Sequence, residues 1–357
     1  MTSAQKLNSS LFISVENPEL FLQVYQFFVD WARQFLIIEL YIAILGLAVT
    51  VFHLIVLTRK IIMVSSVMSV MVSIAICDWI SMLVVAGAQH LVLNFFRDEC
   101  TPPTTYPSLY ALYIVLFIRD DVMRCSTWLS ILMTLIRFVS LRTNSRTKLK
   151  KVSVGFYFFG ICFTISSILS FVRHLRTIVV AAGTWSPAVK CTLETSEMNQ
   201  KWTVYEQQTS TLFSAIFLRV FNFVNGFATR ILPCILLPIL SMLLVMEIRL
   251  TRRKTTSMSA LVQKRTERTT TLVILMAVTF FIANLPSAIV MFFQVIYTDI
   301  GFIRLSVFVD RFCNAILTVN ATIHCIICFI MSTDYRKVAK KLLMIQTKKS
   351  RVSSVVI

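Results

Sequence analysis

Seven long apolar runs constrain this chain more than anything else in its sequence. They fall at approximately Leu36–Thr58, Ser66–Leu93, Ser108–Leu141, Val152–His174, Thr211–Ile248, Thr269–Tyr297 and Phe302–Met331. A bilayer core of about 30 Å needs roughly 20 apolar residues as α-helix, each rising about 1.5 Å. Every run is long enough. Backbone that faces lipid must satisfy its own N–H and C=O groups, which leaves helices or closed barrels. The runs do not alternate with period two, so barrel strands are rejected. Composition points the same way: 57% of the 357 residues are apolar, 15% are charged and mean hydropathy is +0.77. A soluble chain this apolar would lack the polar surface to cover its cores. With 7 Gly, 8 Pro and 28 Phe, collagen-like and disordered classes are excluded as well. The expected fold class is an all-α integral membrane protein, a seven-helix transmembrane bundle.

The net charge of +18 would suggest nucleic acid in a soluble protein; here its placement matters more than its size. The odd-numbered loops and the tail hold 21 Lys and Arg. The N-terminal segment and the even loops hold 8, with Arg173 and Arg304 at the span ends counted among them. Basic residues stay on the cytoplasmic side, so the N-terminus is expected outside. The organisation follows: residues 1–35 as an extracellular segment, 36–331 as the bundle, and 332–357 as a cytoplasmic amphipathic helix with a basic tail. Residues 1–35 lack the apolar core and small-residue cleavage site of a signal peptide. Asn8-Ser9-Ser10 is a glycosylation sequon on the outer side. Most of the 9 cysteines lie inside apolar runs, where Cys acts as a small hydrophobe. Only Cys100 and Cys191 fall in polar, loop-like sequence.

Ionisable groups inside a bilayer cost several kcal/mol unless they face the bundle interior, so each is a functional candidate. Asp78 sits mid-span, as a hydrogen-bond hub, a sodium ligand or both. The third span carries Arg119, Asp120, Asp121, Arg124 and Arg137. Arg119 and Arg137 are separated by about 27 Å of helix and face the same way at opposite membrane surfaces. Asp120 and Asp121 can each pair with Arg124 at i,i+4 and i,i+3. Asp310, Asn314, Asn320 and His324 form one polar stripe on the seventh span, which must look inward. Arg230 and Asp310 lie at the outer level with Arg119, Asp120 and Asp121. Both signs there suit a short peptide or a zwitterion, and mutual neutralisation accounts for them equally well. Cys325 and Cys328 are read as packing. The 4 His are scattered on different spans, and no catalytic cluster, metal centre or cofactor site is expected.

Several motifs then agree with one known pattern. Asp78 stands where rhodopsin-like G-protein-coupled receptors carry their second-span Asp. Arg137, in Leu135-Ile136-Arg137-Phe138, matches the Arg that ends the third span. Phe280 and Pro286 match the sixth-span Phe and Pro, and Asn320 opens the place of Asn-Pro-x-x-Tyr. His53-Leu54 before Thr58-Arg59-Lys60 resembles the nematode serpentine chemoreceptors of class W. So do Arg124-Cys125-Ser126-Thr127-Trp128-Leu129, Ile323-His324-Cys325 and Met331-Ser332-x-x-Tyr335-Arg336. That class is itself similar to FMRFamide-type peptide receptors. The resemblance spans about Leu36 to Leu343. The chain departs from the pattern at Ile136, where an acidic residue usually precedes the Arg, and at Asn284, where a Trp is usual. It departs again at Ala321 and His324, in place of the seventh-span Pro and Tyr.

The resemblance implies a plasma-membrane receptor, with the sensory cilium as the location its chemosensory members suggest. It would carry an external peptide or small-molecule signal to a heterotrimeric G protein, and arrestin and a receptor kinase would be further partners. Arg137, Arg142, Tyr335 and Arg336 would meet the G protein, and Asp78, Asn314, Asn320, His324, Phe280, Asn284 and Pro286 would form the activation network. Arg119, Asp120, Asp121, Arg124, Arg230 and Asp310 are the pocket candidates. A Cys100–Cys191 bridge would pin the second outer loop. The Lys-rich stretch Asp334–Leu343 suits an interfacial helix on membrane lipid, whatever the function, while Thr255, Thr256, Ser257 and Ser259 are candidate phosphorylation sites. No nucleic-acid partner is expected. The rival is a seven-span ligand-gated channel or transporter.

Overall fold

The computed structural model of the chain describes residues 11–93, 101–142, 151–175, 177–186, 201–209, 214–254, 260–297 and 299–353. Seven helical spans are long and apolar enough to cross a bilayer. The first four are Pro18–Leu57, Ser66–Leu93, Tyr106–Arg142 and Val152–Leu175. The fifth is built from Ala215–Gly226, a five-residue π segment Phe227–Ile231, and Leu232–Lys254. The sixth and seventh are Ala260–Ile296 and Ile300–Met331, and a tail helix follows over Thr333–Ser353. The third span is central, packing against the second, fourth, fifth and sixth, while the first packs against the second and seventh.

Two elements differ from the sequence expectation. The first helix begins at Pro18, a residue pre-organised for a helix start, and runs 40 residues, about 60 Å. That is twice the bilayer core, so residues 18–35 are helix standing outside it. Glu19, Gln23, Gln26, Asp30 and Arg33 alternate there with aromatics, an amphipathic pattern that a search for unbroken apolar runs does not register. Between the fourth and fifth spans, Thr177–Trp185 (β1) pairs antiparallel with Trp202–Thr209 (β2), with an irregularity between Ala181 and Gly183. The bundle is therefore all-α, with one small hairpin on its outer face.

The largest core cluster fills the inner half. Val70, Leu129, Met133, Ile136, Leu244, Val273, Cys328 and Tyr335 bring six elements together there. Val273 of the sixth span is fully buried in that cluster, so the inner half of the bundle is closed at its level. At Gly46 the first span closely approaches side chains of the second and seventh. A Cβ there would lie 2.6 Å from both Met82 Sδ and Thr322 Oγ1. Cys325 and Cys328 are free thiols in the core, in agreement with the packing reading. Cys100, Cys191, Asn8, Thr255, Thr256, Ser257 and Ser259 lie outside the described residues.

Candidate functional site

Polar side chains meet inside the bundle at three levels. The outermost contains a residue the sequence reading passed over. Glu39 of the first span is 1% exposed and ion-paired with Arg119 of the third. Gln89 Nε2 donates to its other carboxylate oxygen at 3.2 Å, and Thr318 Oγ1 to the first at 3.3 Å. One carboxylate thus ties four spans together. Its signal was present in the sequence, since a lone Glu stands in the most apolar of the runs, and an intramembrane charge should have a partner.

The pairing expected within the third span is replaced by a zipper to the fourth. Asp120 pairs with Arg173, and Asp121 accepts from Ser167 Oγ at 2.8 Å. Arg124 donates to the Ser166 carbonyl at 2.9 Å and to Ser170 Oγ at 3.2 Å. The fourth span thus supplies a partner to each of the three groups where the two helices touch, while Asp121 Oδ1 and Arg124 Nε have none among the described residues.

A second outer group joins the fifth, sixth and seventh spans. Arg230 lies 3.4 Å from Asp310 and donates to Asn284 Oδ1 at 3.3 Å, while Ser287 Oγ donates to Asp310 at 2.5 Å. Arg230 belongs to the π segment, whose Leu232 N–H bonds back to Phe227 rather than to the residue after it. Pro233, two residues beyond Ile231, has no N–H to offer the Thr229 carbonyl, and a single widened turn absorbs that break. The Arg230 and Asp310 side chains are 20% and 38% exposed, against 7% and 1% for Arg119 and Glu39. Arg230 and Asp310 are thus the more accessible of these two opposed-charge pairs at the outer level.

At mid-membrane Asp78 accepts from Ser126 Oγ at 3.2 Å and faces His324 Nδ1 at 3.2 Å. A cavity of about 30 Å³, room for a water or two, lies between them, bordered also by Thr318, Asn320 and Phe280. Asn320 Oδ1 is buried without a hydrogen-bond partner among the described residues. Of the residues assigned to the activation network, Asp78, Asn320, His324 and Phe280 border this cavity. Asn314 does not border the cavity, and Asn284 belongs to the outer group. Thr318 links the levels, because it also reaches Glu39.

At the inner face Arg137 is half-buried, and its Nε has no partner among the described residues. Ile136 and Phe138 beside it pack into the core, so they offer it no counter-charge. Arg142 is exposed at the end of the span and Arg336 half-buried. Tyr335, expected at a partner surface, is instead 1% exposed and holds the tail helix to the bundle. Its hydroxyl lies 2.8 Å from His53 Nδ1 and 3.3 Å from Cys325 Sγ. Burial and the neighbouring thiol push its phenol well above the usual range, so it stays protonated and shares hydrogen bonds with the imidazole and the thiol. His53, Cys325 and Tyr335, quoted from three separate motifs of the sequence, thus make one contact.

A family model described as serpentine type 7TM GPCR chemoreceptor Srw matches residues 37–346. The chain belongs to this chemoreceptor family. The match runs from the outer part of the first span through the tail helix, and so includes Glu39, Asp78, Arg137, His324 and Tyr335. No curated protein matches the chain. The further likeness to FMRFamide-type peptide receptors has no counterpart in the family match. This Srw chemoreceptor is a multi-pass membrane protein of a receptor family, not of an enzyme family.

Proposed function

We propose that this Srw receptor binds an extracellular ligand at the plasma membrane and passes the signal to a heterotrimeric G protein. The observation that carries the reading is the contrast between the two ends of the bundle. The outer end presents partly exposed, opposed charges at Arg230 and Asp310, while the inner half is packed around a third-span Arg137 whose Nε has no partner among the described residues. A two-state bundle transmits a signal only if the ligand binds the inner-open state better than the inner-closed one. Pro286 breaks the sixth helix's hydrogen bonding near Ile282 and supplies a hinge between the two ends. Arrestin and a receptor kinase would meet the same inner face. Lys337, Lys340 and Lys341 are exposed on the tail helix and suit anionic lipid headgroups.

The test is nucleotide exchange on purified G proteins by receptor in vesicles, with tags at each terminus reporting topology on intact cells. An outside N-terminus and receptor-dependent exchange support the reading. A cytoplasmic N-terminus removes it.

The mid-membrane cavity suits a small cation or water, since the Asp78 carboxylate, the Ser126 and Thr318 hydroxyls and the unpartnered Asn320 oxygen all border it. A sodium ion held there would offset the Asp78 charge, which is costly alone in the bilayer interior. Asp78→Asn is then expected to remove any sodium dependence of agonist binding. Sodium dependence that persists in the mutant rejects the ion and leaves the Ser126–Asp78–His324 hydrogen bonds as the role of the residue.

A further inference from the structure

The chain preceding the first helix does not simply lead into it. Leu11 and Phe12 are 6% and 1% exposed, seated in a groove between the outer ends of the first, sixth and seventh helices. The Phe12 ring lies 5.0 Å from Phe302, 5.9 Å from Phe21 and 6.5 Å from Tyr25. The backbone is held as firmly as the ring. Gly301 N–H donates to the Leu11 carbonyl at 3.0 Å, and Ser14 donates to Asp299 from both its N–H (2.9 Å) and its hydroxyl (2.7 Å). The approach at Gly301 is so close that a Cβ there would lie 2.3 Å from the Leu11 oxygen and 2.6 Å from the Phe12 ring. Only glycine allows the segment to sit where it does.

The groove also restrains the sixth span. Phe293 stacks on Phe302 at 5.7 Å and meets Phe21 at 5.4 Å, and Gln294 Nε2 donates to the Phe302 carbonyl at 2.9 Å. Phe293 stands seven residues outward from Pro286, about 10 Å along the helix. The clamped part is thus the short outer arm beyond the hinge, and the long inner arm ends against the third span. In this structure the segment is seated and the inner half of the bundle is closed, with Val273 buried beside Met133 and Ile136.

We propose that residues 11–14 are a strap that holds the outer arm of the sixth span and thereby biases the receptor toward its inner-closed state. The occupant of the groove is the chain's own segment, and loosening it raises activity without ligand. The proposal rests on the two-state receptor reading above, but its first readout does not require a G protein. Three hydrogen bonds fix the segment to Asp299 and Gly301 at the start of the seventh span, and the Phe12–Phe302–Phe293 packing carries that restraint to the sixth; weakening these contacts shifts the equilibrium by as much as the two states differ in making them.

The experiment places spin labels at Arg142 and Leu275, both exposed on the inner halves of the third and sixth spans, and measures their separation without ligand. Gly301→Val expels the segment by collision, and Phe12→Ala removes its anchor. Each is expected to add a longer-distance population, with the open-to-closed ratio rising roughly ten-fold. Ser14→Ala removes only an exposed hydroxyl, and is expected to shift the ratio in the same direction by less should the larger changes impair folding. Ligand-independent nucleotide exchange, read on the same variants with Arg142 and Leu275 left unlabelled, should rise in parallel. Distance distributions identical to the parent receptor in these variants overturn the strap. A shifted distribution with no exchange on any G protein keeps the strap and counts against G-protein coupling.

Discussion

Glu39→Ala is expected to cost the receptor about 3–5 kcal/mol, much or all of the stability of an ordinary domain. The reason is the group left behind. Arg119 is 6% exposed at the outer level, its Nε already lacks a partner, and Glu39 is its only ion-pair partner among the described residues. Gln89 and Thr318 would each lose one of two acceptors, keeping the Leu36 and Asn314 carbonyls, so the ties among four spans weaken at once. Glu39→Gln keeps an acceptor for Arg119 but removes the countercharge, and should be intermediate. Replacing both partners, as in Glu39→Leu with Arg119→Met, removes the stranded charge and should recover most of the loss, since well-packed apolar residues often match a buried ion pair. Thermal unfolding in detergent, with surface expression alongside, checks the series. If Glu39→Ala unfolds with the parent protein, or if the double replacement is worse than either single change, the pair does not hold the bundle in this way.

Arg137→Ala is expected to leave surface expression near normal and to remove nearly all ligand-evoked exchange. In this structure the guanidinium has no ion-pair partner among the described residues, so little folding stability is lost with it. Its neighbours Ile136 and Phe138 are core side chains that keep the helix end in place. In the proposed function its partner is a G-protein backbone, reached when the sixth span opens. Truncating one member of a buried, charge-assisted contact costs about 2–5 kcal/mol, a factor of roughly thirty or more in coupling. Arg137→Lys keeps the positive charge and the ability to reach the interface, but loses the planar fork of donors, and should signal weakly. Normal exchange by the Ala variant at matched surface level rejects the coupling role. Loss of both variants from the surface would assign Arg137 to anchoring at the interface instead.

The chain's membrane class, its seven spans and their approximate positions were legible in the sequence, because a bilayer imposes length and apolarity on each helix independently of its neighbours. The candidate polar residues were legible for the same reason: a charge in an apolar run stands out wherever it ends up. Their partners were not. Asp120, Asp121 and Arg124 have acceptable partners one turn away on their own helix, and only the seating of the fourth span beside the third gives them to Arg173, Ser167, Ser166 and Ser170. Tyr335 looks like a surface residue of a basic helix until the tail folds back onto His53. The outer half of the first helix and the segment before it were missed because their stability comes from aromatic contacts with the sixth and seventh spans, nearly 300 residues away. Solvent acts on each residue where it stands, so burial and span location can be read along the chain. Ion pairing and docking depend on two surfaces meeting, and that is settled only when the helices pack.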